Sequence, residues 1–408
     1  MRLTPESEQI VAATAGVVAA HAEQITRVFY PDMFAAHPTL LRVFNKANQA
    51  IGEQPQALAA SVVAFAVQLI DPDAPDFTPA MQRIAHKHVS LGIRATEYTI
   101  VGHHLLKAVK TVLGDAITPE IAAAWDEVYW LFACSLIAEE AKLYALAGTD
   151  PAQPWRKYRV VERFEESEDV FSLLLAPVRG DVPSHRTGQY VAIAVDLPNG
   201  ERQPRQYTIS SGPRGDSLRV TIKRVRGVDG NPDGQVSGWL HANALPGSVL
   251  DVSQPAGDLV LDDSDAAPLV LVSAGIGITP IAAIMEDLSR RQPERKVRLF
   301  HADKSHDQHA LYAALRRQVL AMSDVRSQMW YEEEAEGAPT LHPARSGFMD
   351  LSDIDVPADA QVFMCGPLAF MRAARLALME KGIHSENIHY EVFGPDLWAQ
   401  NPETATQN

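Results

Sequence analysis

The nine residues AGTDPAQPW, 147–155, constrain this chain most. Proline has no N–H to donate and its ring clashes with the preceding helical turn, so Pro151 and Pro154, together with Gly148, end any helix that reaches them. Before this stretch the apolar residues recur at helical spacing. After it they come in short β-rich runs. The chain therefore cannot form one layered core. Its 408 residues also exceed one ordinary core, and at roughly 100–200 residues per domain two or three domains are expected.

Residues 1–147 read as all helix. Thr4 reads as an N-cap, with Pro5 in the first helical position and Glu6 in the first turn. Amphipathic, alanine-rich stretches follow at about 52–70, 78–89, 95–113 and 118–146, separated by breaks such as DPDAPDF. Residues 155–262 carry RKYRVVERF, VFSLLLAPV, QYVAIAVDL, RQYTIS and SLRVTIKRV, which predict an antiparallel sheet or barrel. Across 267–408 the apolar strands PLVLVSAG, KVRLFHAD and QVFMCG alternate with helical stretches, which predicts a parallel sheet with crossover helices.

Charge narrows the partners. Asp and Glu number 51 against 36 Lys and Arg, a formal charge of -15, which opposes binding to nucleic acid or to anionic membranes. The opening MRLTPESEQIV has no apolar signal core, and no uncharged run approaches the ~20 residues of a membrane span. Cys134 and Cys365 are too few and too far apart in sequence for a disulfide framework or a cysteine metal site. A cytoplasmic location is expected.

RIAHKHVSLGI, 83–93, holds two histidines. On a helix, residues two apart point about 200° apart, so His86 and His88 cannot share one metal. Met81, Ile84, Ala85 and His88 form one apolar stripe, so His88 is the inward residue and His86 is expected in solvent. A hydrogen-bonded core histidine would explain His88 as well as a ligand would. Glu140 also lies on an apolar face, with Leu136, Ile137, Leu143 and Tyr144 around it, whereas Glu139 falls beside Ser135 and Lys142. Tyr98 aligns with Val101 and Gly102. A buried carboxylate needs partners, and one bonded to a ligating imidazole makes that imidazole more basic.

With these residues in hand, the helical part resembles the globin domain of the flavohaemoglobins through FYPDMF, VFNKANQ, EQPQAL, IAHKHVSLGI and EYTIVGHHLL. The resemblance implies that His88 is the proximal haem ligand, that Tyr98 and Glu140 form its hydrogen-bond network, and that Lys87 tunes haem potential. It further implies that Tyr30 contacts the bound gas, that Gln54 and Leu58 line the distal pocket, and that Phe44 packs on the haem. His103 and His104 read as structural or surface residues.

In RQYTIS, Arg205 can pair with a phosphate, Tyr207 can lie against a flavin and Thr208 can bond its ring, with Gln206 between them. An edge strand with a surface arginine is the plain alternative. GQVSGWLH offers Gly234, Gln235, Val236 and Ser237 at a helix start, where backbone N–H groups suit a pyrophosphate. LVLVSAGIGITP runs a strand into Gly275, Ile276, Gly277 and Ile278, then Thr279, expected as N-cap, and Pro280, expected as the first helical residue. FMCGPLAFM repeats that design and sets Cys365 and Gly366 near a nicotinamide, although a buried structural cysteine would explain Cys365 equally well. This order is similar to the FAD and NAD(P) domains of the ferredoxin-reductase superfamily, which implies that Tyr190 of TGQY also meets the flavin. Thr187 stands where that family usually has proline, and Leu259 where an aromatic is common. In HYEVFGP, 389–395, the flavohaemoglobin resemblance makes Glu391 a redox-tuning residue and Phe393 the flavin cover, flanked by Val392, Gly394 and Pro395.

The implied architecture is a globin, then an antiparallel β-barrel for FAD, then an α/β parallel-sheet NAD(P) domain. The implied cofactors are haem b, FAD and NAD(P)H. The implied reaction is nitric oxide dioxygenation, in which NO and O2 yield nitrate with NAD(P)H as electron source. A lipid in the distal pocket and a monomeric state are further expectations. Two other readings stay open: reduction of hydroperoxides or ferric acceptors by the same electron path, and gas sensing without catalysis, which the reductase half opposes. Asp303 and Lys304 point in opposite directions on NADH against NADPH.

Overall fold

The computed structural model describes residues 2–43, 53–213, 215–227, 232–262, 264–333 and 344–393. Phe44, Gly394 and Pro395 lie outside them, and Gln54 is placed on a helix with its side chain outside the description. The chain divides into two compact units, with the boundary between Pro154 and Trp155.

The first unit is helical: α1 Pro5–Ala20, α2 Ala22–Ala36, α3 Glu53–Ile70, α4 Thr78–Leu91, α5 Ala95–Leu113 and α6 Pro119–Leu146. Its boundaries follow from capping chemistry. Thr4 Oγ1 accepts from Ser7 N at 3.3 Å, and Pro5 stands in the first turn, where its missing N–H costs nothing. Thr118 caps α6 in the same way. Gly92, at φ +72°, ends α4 in the left-handed region that glycine tolerates. Phe29, Met33, Ala66, Ala85, Val128 and Leu136 are central to the core. By length and composition alone α6 could cross a membrane. Here its apolar stripe, Trp125 to Tyr144, is buried within the helical unit.

The second unit holds two sheets. Strands β1 Trp155–Ser167, β2 Val170–Pro177, β3 Tyr190–Asp196, β4 Arg202–Thr208, β5 Leu218–Lys223 and β6 Val249–Ser253 form an antiparallel sheet in the order β4-β3-β6-β1-β2-β5. Just past β4, Ile209 bridges Val220 of β5, and Ser210 N donates to Arg219 O at 2.7 Å. These contacts return one edge to the other and close the barrel. A short helix, α7 Gln235–Asn243, packs beside it. The second sheet is parallel, built from β7 Leu269–Ala274, β8 Val297–Asp303, β9 Val325–Tyr331, β10 Arg345–Ser346, β11 Gln361–Cys365 and β12 Ile388–Glu391 in the order β10-β9-β8-β7-β11-β12. Helices α8 Ile278–Arg291, α9 Tyr312–Leu320 and α10 Leu368–Glu380 supply crossovers.

Three expectations change. Thr279 is not the N-cap of α8: the helix starts at Ile278 with Gly277 at the cap, because a 3-10 turn over Gly275–Gly277 tightens the entry. Thr279 Oγ1 instead donates to Ile276 O at 3.0 Å, and Pro280 is the third helical residue rather than the first. His86 is half-buried, not solvated.

Candidate functional site

In the helical unit, α4, α5 and α6 bring His88, Tyr98 and Glu140 together. His88 Nδ1 lies 2.8 Å from Tyr98 Oη and 2.8 Å from Glu140 Oε1. Tyr98 Oη donates to Glu140 Oε1 at 2.5 Å. Two acceptors therefore face Nδ1, which places its proton there and leaves the Nε2 lone pair for a ligand. Glu140 is 4% exposed. Burial, followed by the nearby Glu140 charge, pushes the Tyr98 phenol well up, so it stays a donor. Tyr129 Oη donates to Tyr98 O at 2.5 Å, and Tyr144 Oη donates to Val89 O, beside the histidine. The close crossing of α5 and α6 needs Gly102, where a Cβ would lie 2.3 Å from Tyr129 Cε1. A haem fits this donor set: the imidazole is held on one nitrogen and offers the other.

Tyr30 is buried on α2 between Phe29 and Phe34, with ring centroids at 4.7 and 5.7 Å. Burial raises its phenol as well. Leu58 is half-buried against the same core, and Lys87 is half-buried beside the histidine. His103 is exposed. His104 is structural: its Nδ1 lies 2.5 Å from Asp32 Oδ2, and Lys107 holds the other carboxylate oxygen at 2.7 Å, fastening α5 to α2.

On the barrel, β3 and β4 pair Tyr190 with Thr208, Val191 with Tyr207 and Ile193 with Arg205. The two-residue period sets Arg205 and Tyr207 on one face, and Gln206 and Thr208 on the other with Tyr190. Arg205 is half-buried and donates to Pro204 O at 2.6 Å. Burial lowers its guanidinium somewhat from the ordinary value and raises the Tyr207 phenol. Two glycines seat Tyr190. Gly257, at φ +114°, would bring a Cβ within 3.0 Å of its ring, and a Cβ on Gly188 would strike Leu259 O at 1.9 Å. Gly234 caps α7. Ser237 Oγ accepts from Val225 N at 3.1 Å, so the serine hydroxyl braces the preceding loop.

On the parallel sheet, β7 and β11 are neighbours whose connections run to opposite sides, the crevice where ligands bind in such sheets. Gly275 stands at φ +53° with open space where a Cβ would point. Gly277 packs so closely that a Cβ would lie 2.2 Å from Cys365 O. The two turns thus interlock only without side chains. Cys365 is fully buried and in register with Ser273 and with Glu391. Burial, and then Glu391, pushes its thiol well up, which fits a packed residue better than a nucleophile. Glu391 is itself buried, Val392 is half-buried and Phe393 is 51% exposed. Sequence reasoning missed Glu286 and Asp287 on α8, two consecutive buried acids.

A helical unit with a haem-type histidine cluster, a closed β-barrel and a nucleotide-type parallel sheet in one chain define an electron-transferring oxidoreductase. Residues 27–135 match the globin family, and residues 271–376 match the oxidoreductase NAD-binding domain. The chain is 40% identical over 401 residues to a flavohemoprotein of Bordetella parapertussis, covering 96% of this chain and 98% of that protein. It is 38% identical to one of Rhizobium meliloti, covering 98% of this chain and 100% of that protein. The flavohemoglobin of Malassezia yamatoensis, solved with bound FAD and heme, superimposes with a TM-score of 0.86 at 34% identity over 97% of this chain and all of that one. The FAD/NAD-binding domain of a Vibrio cholerae nitric oxide dioxygenase gives 0.55 at 32% identity over 60% of this chain and all of that one. The chain belongs to the flavohaemoprotein family.

Proposed function

We propose that this chain binds haem b through His88 and FAD through the barrel, and uses NAD(P)H electrons to oxidise nitric oxide to nitrate with O2. The observation that carries the reading is the His88–Tyr98–Glu140 cluster, which fixes one imidazole nitrogen and presents the other. Haem supplies an O2 site and flavin converts a nicotinamide hydride into single electrons.

The chain's own residues do the rest. Glu140 and Tyr98 hold the imidazole in one tautomer and strengthen it as a donor. Tyr30, kept as a phenol by burial, offers an O–H on α2 for a bound gas. Arg205 and the N-terminus of α7 suit the flavin's phosphates. Gly275 lets backbone approach the dinucleotide, Gly277 lets its turn pack on Cys365 O, and Cys365 and Glu391 are paired at the ends of neighbouring strands β11 and β12.

The test is NO consumption by purified protein carrying haem and FAD, with NADH and O2 supplied. Nitrate is expected to form in step with NADH oxidation. Failure to consume NO, or faster turnover of an organic hydroperoxide than of NO, would overturn the assignment.

A further inference from the structure

Helix α8 starts at the Gly275–Gly277 turn, and Ile278 through Leu288 are all buried. Among those apolar residues stand Glu286, 8% exposed, and Asp287, 2% exposed. Buried carboxylates are retained only with good partners, and each of these reaches a different piece of the barrel. Asp287 Oδ2 accepts from Thr187 Oγ1 at 2.8 Å, while Arg291 Nε donates to Oδ1 at 2.8 Å. Thr187 opens the turn that ends at Tyr190. Glu286 Oε2 accepts from Arg219 Nη2 at 3.1 Å. The same guanidinium also donates to Ser210 O, two residues beyond Thr208.

Two of the segments that carry candidate flavin residues, the turn at Tyr190 and the end of β4, are thus tied to neighbouring side chains of the one helix that begins at the Gly275–Gly277 turn. Adhesion alone does not require these ties. Val170, Leu259 and Leu261 of the barrel half already join the apolar cluster around Leu271 and Ile281. A well-packed apolar replacement for a buried polar pair is often as stable. Apolar contacts are non-directional, whereas hydrogen bonds fix distance and angle.

We infer that Glu286 and Asp287 are positioning residues for hydride transfer: through Arg219 and Thr187 they set the separation between nicotinamide and flavin. The inference rests on the NAD(P)H-to-FAD path proposed above. In that step the C4–H bond of the dihydronicotinamide breaks and an N–H bond forms at flavin N5. The electron pair travels with the hydrogen, so nicotinamide is oxidised and flavin reduced. A displacement of about 1 Å at such a step can cost on the order of a hundredfold in rate.

The experiment is anaerobic stopped-flow reduction of the flavin by NADH in the holoprotein, comparing the parent with Thr187→Val, Thr187→Ser and Glu286→Gln. Thr187→Val and Glu286→Gln should each lower the limiting reduction rate about tenfold while the half-saturating NADH concentration moves by less than about threefold. C4-deuterated NADH should show a larger isotope effect in both variants. Thr187→Ser, which keeps the hydroxyl, should restore the parent rate. NAD+ added to the reduced protein should give a weaker flavin–nicotinamide charge-transfer band in the two slow variants, with FAD content and melting temperature held. Unchanged rates and bands in both, or a loss that only tracks FAD content and melting temperature, would overturn the inference. Failure of the parent flavin to be reduced by either NADH or NADPH would instead overturn the electron path beneath it.

Discussion

At the scale of single residues, the decisive feature is which nitrogen of His88 is held. With Nδ1 between Tyr98 and Glu140, only Nε2 remains for a haem. His88→Ala should therefore abolish axial ligation, read as loss or displacement of the Soret band. Glu140→Gln keeps the shape but removes the charge that makes the imidazole a strong donor. It should weaken haem retention about 10–100-fold and raise the haem reduction potential, measured by haem transfer to an apoglobin and by spectroelectrochemistry. An unchanged potential would mean that Glu140 serves packing only. A second histidine makes a pH prediction. His309 is buried, with Nδ1 2.9 Å from Tyr331 Oη and its ring centroid 4.1 Å from that of His301. Burial, then His301 and His306, hold its imidazole well below the ordinary 6.5. The unfolded chain therefore takes up this proton first as pH falls through 6.5, so stability is lost on the acid side and is complete above it. One such site contributes at most about 1.4 kcal/mol per pH unit. The flavin-monitored melting temperature should fall between pH 7 and 5.5, and His309→Gln should flatten that fall. Parallel curves for the two proteins would assign the acid sensitivity elsewhere.

At the scale of elements, glycines decide where helices and strands can cross. Gly102 lets α5 meet α6 against the Tyr129 ring, whose hydroxyl in turn holds the backbone at Tyr98. Gly102→Ala should cost about 1–3 kcal/mol by overpacking, lower the melting temperature of the helical unit and loosen haem. Gly16 makes a control, because nothing lies within 4 Å of a Cβ there and it sits inside α1. Gly16→Ala should stabilise by up to about 1 kcal/mol through helix propensity. If both substitutions behave alike, close packing at Gly102 is not what holds the site. Gly277 plays the corresponding part between β7 and β11. An alanine there would drive its Cβ into Cys365 O, parting the two turns. Gly277→Ala should raise the half-saturating NADH concentration for flavin reduction while leaving the Soret band intact.

At the scale of the whole molecule, the chain's period changes made its architecture legible. Helical spacing, then alternation, then strand–helix alternation correspond to the helical unit, the antiparallel sheet and the parallel sheet. Tyr98 and Glu140 could be chosen by helical face, because burial follows the 3.6-residue period, whereas His88 is half-buried like His86 and is set apart by its bonds to those two residues. What stayed hidden depends on contacts between distant segments. Strand β6 is only five residues long and β9 has a largely polar first half, so neither stands out by pattern. Glu286 and Asp287 escape a reading by pattern because the residues that bond them, Thr187 and Arg219, lie more than sixty positions away. The same reasoning locates where the chain can be divided. Leu146 is 83% exposed, Asp150 to Gln153 are exposed, and the boundary between compact units falls directly after them. Exposed turns are the preferred sites of proteolysis, because a protease must draw several residues out of the fold. Brief digestion of the holoprotein with a broad-specificity protease should cut first between 146 and 153. After separation, the Soret band should travel with the N-terminal fragment. Flavin absorbance, and NADH-driven reduction of an artificial acceptor, should travel with the C-terminal one. Both pigments on one fragment, or a first cut inside either sheet, would mean that the two chemistries do not divide at this linker.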